Sequence, residues 1–139
     1  MSEWTFAQKA LLTLASLELL WALAGLIAEP SFHIGAGAPT EKVLWVDFNG
    51  IHALSGLLLF GPALYFCRRP DWALYYVVYI AAALYITGVW ALFEEQPAYV
   101  FTFPSNVNDA IFHLATAVVF SVVAAAQVSQ DRAARSQPA

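Results

Sequence analysis

The chain has 139 residues, of which 60% are hydrophobic and 12% are charged, and its formal net charge is −4. This composition excludes an ordinary soluble globular protein, and the acidic balance argues against nucleic-acid binding. The only cysteine, Cys67, excludes an intrachain disulfide and is expected to be a small apolar residue at a helix end. We expect residues 1–139 to form a single domain.

Four apolar segments, each near the ~20 residues that cross a bilayer, predict four transmembrane helices. Only helices and closed barrels satisfy their backbone hydrogen bonds in lipid, and these segments do not alternate. We therefore expect an all-α, integral membrane four-helix bundle. The first segment carries Glu18 in its middle and lacks a cleavage motif, so we interpret it as a mature helix. The predicted helices cover about residues 6–28, 48–67, 72–93 and 107–128.

Basic residues mark one side of the predicted bundle. Arg68 and Arg69 lie between the second and third segments, and Arg132 and Arg135 follow the fourth. The two opposite loops contain a single basic residue, Lys42. The positive-inside rule therefore predicts two helical hairpins with both termini in the cytoplasm. The expected location is a bacterial inner membrane, and the expected partners are lipid and either a second copy of the chain or a larger membrane complex.

Two histidines lie inside apolar segments in similar local sequences. The first sequence is DFNGIHALSG, residues 47–56, and the second is NDAIFHLATA, residues 108–117. Each histidine follows a carboxylate or amide within five residues and precedes a hydroxyl by three. The match has two interpretations: a parallel repeat of two helical hairpins, or chance similarity between apolar segments.

Helical spacing and depth predict that several polar side chains meet. Asp109 and His113 are one turn apart on one face of helix four, and small residues flank Glu18 on helix one, as in close helix contacts. Counting from the helix ends places these groups and His52 in the outer half of the membrane. We therefore expect one buried polar cluster, formed by Glu18, His52, Asp109 and His113, with Asn49 and Tyr85 at its edge.

Four functions are compatible with such a cluster. Our working hypothesis is a structural network in a structural or accessory membrane protein that is not an enzyme. A divalent metal such as zinc or iron would suit the imidazoles and carboxylates of Glu18, His52, Asp109 and His113. His52 and His113 could instead be axial ligands of a haem. Intramembrane Glu and His are also typical of proton relays and small-solute transport.

The same motifs resemble a known family. DFNGIHALSG is similar to the stretch that opens helix two in a family of small bacterial four-helix membrane proteins, and NDAIFHL is similar to the family's helix-four stretch. Tyr85 falls where such proteins often have a helix-three tyrosine. The chain departs from the family pattern at Gly50, Ile51 and Ala110. The family, common in actinobacteria, is a domain of unknown function, so the resemblance over residues 5–128 implies a topology and no established activity.

Overall fold

Helices make up most of the structure, a computed structural model that describes residues 3–33, 37–93 and 107–136. An antiparallel β-hairpin follows the first helix and pairs Glu41 with Phe48 and Val43 with Val46. The predicted loop at residues 94–106 lies outside the described residues. In chain order the elements are α1 (Phe6–Ala28), β1 (Glu41–Val43), β2 (Val46–Phe48), α2 (Gly50–Phe60), α3 (Ala63–Phe66), α4 (Pro70–Phe93) and α5 (Val107–Arg135).

Three of these helices, α1, α4 and α5, are long and apolar enough to cross a membrane. Together, α2 and α3 form a shorter apolar segment, Gly50–Phe66. Large apolar side chains project outward from the helices, among them Ile27 at 81% exposed, Leu58 at 67% and Ile86 at 64%. Such a surface would be unfavourable in water and suits lipid. The protein is therefore mostly helical and membrane-embedded.

The predicted helix over residues 48–67 begins later and is interrupted. Phe48 ends strand β2, and α2 starts only at Gly50. Further along, Gly61 and Pro62 separate α2 from α3, because a proline has no N–H to donate to the preceding turn. At this interruption the Tyr76 hydroxyl of α4 donates a 2.8 Å hydrogen bond to the backbone oxygen of Leu59.

Two buried glutamine side chains, Gln8 and Gln127, form hydrogen bonds at the start of α1. Thr5 and Gln8 form a capping box, and Gln8 Nε2 also donates to the backbone oxygen of Cys67 at 2.8 Å. Gln127 of α5 accepts from the backbone N–H of Ala7 at 2.9 Å. The capping box and Gln127 satisfy N–H groups that a helix start leaves without helical partners, and Gln8 Nε2 satisfies the backbone oxygen of Cys67. We call this end of the bundle, where α1 starts and α5 ends, the terminal end.

The helices pack as two pairs, α1 with α2 and α4 with α5, and α1 also contacts α4 and α5. A Cβ at Gly88 would lie 2.9 Å from Leu114 Cγ, so this glycine allows α4 and α5 to approach closely. Cys67 is 2% exposed, and burial raises the pKa of its thiol, which keeps it protonated. Cys67 thus packs as a small apolar residue next to α3, in agreement with the sequence analysis.

Replacing Gln127 with leucine should destabilise the terminal end. The substitution leaves the buried N–H of Ala7 without its acceptor, which costs ~1–3 kcal/mol. We expect the apparent unfolding temperature in detergent to fall by several degrees. The matched control is Gln130→Leu on the exposed face of the same helix, which should change it little. Equal shifts in the two variants would contradict the assigned role of Gln127.

Candidate functional site

His52 is positioned by the first turn of α2. Asn49 is the N-cap, and its side chain accepts from the backbone N–H of His52 at 2.8 Å. Gly50 N donates to the backbone oxygen of Ser31, also at 2.8 Å. The ring nitrogen Nδ1 of His52 is 2.9 Å from the backbone oxygen of Asp47. Because a carbonyl oxygen only accepts, Nδ1 carries the proton, and in the neutral ring the lone pair is on Nε2.

Asp109 and His113 of α5 lie next to this imidazole. Asp109 Oδ1 is 3.8 Å from His52 Nε2 and 3.9 Å from His113 Nε2. One ligand atom from each of the three residues lies within 4.8 Å of the other two. His52 and Asp109 are buried, at 7% and 1% exposed, and His113 is half-buried. The structure therefore brings together both histidines and one of the two carboxylates of the predicted cluster.

The β-hairpin covers this group at the end of the bundle opposite the terminal end. The Phe48 ring stacks on the His52 ring with centroids 4.6 Å apart and planes 16° apart. A Cβ at Gly25 would overlap the Phe48 ring, so α1 needs glycine at this position. Trp21 Nε1 donates to the backbone oxygen of Val43 at 3.3 Å, which ties the hairpin to α1. We call residues 41–48 the hairpin lid.

A cavity of about 300 Å³ adjoins the three groups. Side chains of α1, α2, α4, α5 and the hairpin lid line it, and most of the lining is apolar. Glu18 is on the cavity wall, where α1 was predicted to place it. It lies outside the three-residue group whose ligand atoms approach within 4.8 Å. The predicted four-residue metal set is therefore reduced to three residues, with Glu18 as a separate carboxylate on the same cavity.

The two residues expected at the edge of the cluster have different positions. Asn49 is buried beside His52 and acts on its backbone as a helix cap. Tyr85 does not line the cavity, and its hydroxyl is 3.5 Å from Ser121 Oγ on the partly exposed surface between α4 and α5. The expectation for Tyr85 is wrong because its neighbours Leu84 and Thr87 occupy the face of α4 that lines the cavity.

Aromatic side chains form a part of the site that was not predicted from the sequence. Trp21, Phe48 and Phe112 all line the cavity, and Trp21 packs edge-on against Phe112 with centroids 4.3 Å apart. Two signals were available. Trp21 is three residues from Glu18 and so shares its face of α1, and residues 42–48 are rich in the β-branched and aromatic residues of strands.

Comparison with known proteins gives one match. Residues 8–126 match the family described as Domain of unknown function (DUF4383). No curated protein and no solved structure matches the chain. The matched range includes the hairpin lid, the cavity wall and the group formed by His52, Asp109 and His113. The resemblance to an uncharacterised family is thereby confirmed, and the chain belongs to the DUF4383 family.

Proposed function

We propose that this membrane protein binds one divalent transition-metal ion between His52, Asp109 and His113. The observation that carries the proposal is the mutual approach of three ligand atoms within 4.8 Å, two of them on buried residues and one on a half-buried residue. Ligands at ~2.0–2.2 Å from a tetrahedral ion lie about 3.3–3.6 Å apart. The distances from Asp109 Oδ1 to the two Nε2 atoms are 3.8 and 3.9 Å, and all three ligand atoms lie within 4.8 Å of one another, so the side chains would move closer together on binding the ion.

The chemistry of the donors also supports a metal. In metal sites, a ligating imidazole usually donates its second N–H to a carbonyl or carboxylate, which orients the ring. His52 has this arrangement, because its Nδ1 is bonded to the backbone oxygen of Asp47 and its Nε2 faces Asp109. Two imidazoles and one carboxylate suit Zn²⁺ or Fe²⁺ and leave coordination positions open. The open positions would face the cavity.

The geometry favours this metal site over a haem held by the same two histidines. A haem between His52 and His113 would place its porphyrin plane where the Asp109 carboxylate lies. A cavity of about 300 Å³ also offers no room for a porphyrin.

Metal content tests the proposal directly. Purified protein should bind one equivalent of Zn²⁺ by elemental analysis after dialysis, and Co²⁺ should give the absorption bands of a low-symmetry site. We expect His52→Ala, Asp109→Asn and His113→Ala each to abolish stoichiometric binding, because each removes one of three ligands. The matched control is His33→Ala in the exposed segment before the hairpin lid, which should retain one equivalent.

Glu18→Gln distinguishes a three-residue site from the four-residue set. Because Glu18 lies outside the ligand group, this variant should also retain one equivalent of metal. The proposal would be contradicted by a wild-type protein that folds and binds no metal, or by His113→Ala retaining the wild-type stoichiometry.

We further propose that Gly50–Phe66 crosses the membrane as the second of four helices, with both termini in the cytoplasm of a bacterial cell. Its 17 residues span about 25 Å of a ~30 Å hydrocarbon layer. The hairpin lid extends the segment at one end and exposes Leu44 and Trp45, side chains that suit the membrane interface. The arginines at positions 68, 69, 132 and 135 support placing the terminal end in the cytoplasm.

Cysteine labelling tests this topology. In a Cys67→Ala background, Thr40→Cys and Ser136→Cys each introduce one exposed thiol. A membrane-impermeant maleimide should label Thr40→Cys in intact cells, and Ser136→Cys only after permeabilisation. With three crossings instead of four, or with the opposite orientation, Ser136→Cys would be labelled in intact cells, and the proposed topology would be wrong.

A further inference from the structure

The cavity beside the proposed metal site has flat aromatic walls. Trp21, Phe48, Trp90 and Phe112 line it together with the aliphatic side chains of α2 and α4. Aromatic side chains pack favourably against other rings, edge-on or offset. The volume, about 300 Å³, is at the lower end of ligand pockets, which run from about 300 to 1,000 Å³. The cavity therefore has room for one ring head group and not for a whole lipid.

We infer that the cavity opens beside α4. Side chains of both α2 and α4 line the cavity, on the lid side of the hydrogen bond between Tyr76 and Leu59 that joins these helices. Thr87 and Trp90 of α4 line the cavity and are also exposed on the outer surface of the bundle. Because α4 is apolar enough to cross a membrane, its exposed face meets lipid. Val46 and Phe48 of the hairpin lid line the end of the cavity nearest the lid.

The charges around the cavity favour a neutral ligand. With a divalent ion bound, its two positive charges offset the carboxylates of Asp109 and Glu18 in their ionised forms. Burying a further unpaired charge in an apolar cavity would be costly. A ring whose polar atoms are neutral carbonyl and ether oxygens avoids this cost, and its carbonyl oxygens could approach an open coordination position.

We propose that the cavity binds the neutral ring head group of a lipid-soluble quinone, which enters from the bilayer between α2 and α4 and leaves its alkyl tail in the lipid. The inference rests on the proposed function for the charge balance and for the metal at one side of the cavity. The arguments from the cavity's size, its aromatic lining and its opening do not depend on the metal.

A fluorescence titration tests the proposal. Purified wild-type protein loaded with Zn²⁺ is titrated with decylubiquinone, and quenching of tryptophan fluorescence reports contact with Trp21 and Trp90 on the cavity wall. We expect saturable quenching. Ala83→Phe fills the cavity from α4 and should weaken the affinity by at least about tenfold, a loss of ~1.4 kcal/mol. The matched control is Ala82→Phe on the exposed face of the same helix, which should bind like the wild type.

Two further measurements distinguish ring binding from a folding failure and from binding of the alkyl chain alone. Thr87→Phe narrows the mouth at an exposed position and should weaken binding if Ala83→Phe fails to fold. Decanoic acid, which has the chain and no ring, should not displace decylubiquinone. Non-saturable quenching, wild-type affinity in both variants that obstruct the cavity, or displacement by decanoic acid would overturn ring binding.

Metal content is measured on the same samples. Saturable quenching in wild-type protein that takes up no metal would support the ring site and contradict the metal proposal. Failure of quenching in fully loaded wild-type protein would overturn ring binding alone, so the two proposals can fail separately.

Discussion

The start of α2 is the constraint on which both the lid and the candidate site depend. The Asn49 cap ends the strand and begins the helix within one residue, and so fixes the direction in which His52 points. The same turn binds the chain that follows α1 through Gly50 and Ser31. The hydrogen bond between His52 Nδ1 and the backbone oxygen of Asp47 then leaves Nε2 facing Asp109 of α5. One helix start thus sets the position of an imidazole, its tautomer and the ring of Phe48 stacked on it.

The two ends of the bundle solve different physical problems. At the terminal end, Gln8 and Gln127 bind backbone groups directly, so polar atoms in an apolar surrounding have partners at hydrogen-bond distance. At the lid end, the imidazoles and the carboxylate of Asp109 are held 3.8–3.9 Å apart beside a cavity. Ionisable groups inside a membrane are costly and generally functional. The lid end thus places ionisable side chains beside a cavity.

Much of the helical framework could be predicted, because apolar length is a strong signal in a membrane protein. The meeting of His52, Asp109 and His113 also followed from helical spacing and depth. Tyr85 was misplaced because a face inferred on one helix does not fix that helix's rotation against its neighbours. The hairpin lid was not predicted because strands of three residues are too short to show a clear alternating pattern in a chain dominated by apolar runs. Without the lid, the aromatic wall that Phe48 contributes could not be foreseen.

The donors of the site come from both helix pairs, His52 from α2, and Asp109 and His113 from α5. An ion held between them would act as a reversible cross-link between the two helix pairs. Binding of the ion and association of the pairs at the lid end would then be linked equilibria. By mass action, an ion at a hundred times its dissociation constant would stabilise the associated helix pairs by ~2.7 kcal/mol. A chelator would then loosen the lid half while the glutamine contacts keep the terminal end assembled. Metal availability would thus set how strongly the two helix pairs are held together at the lid end.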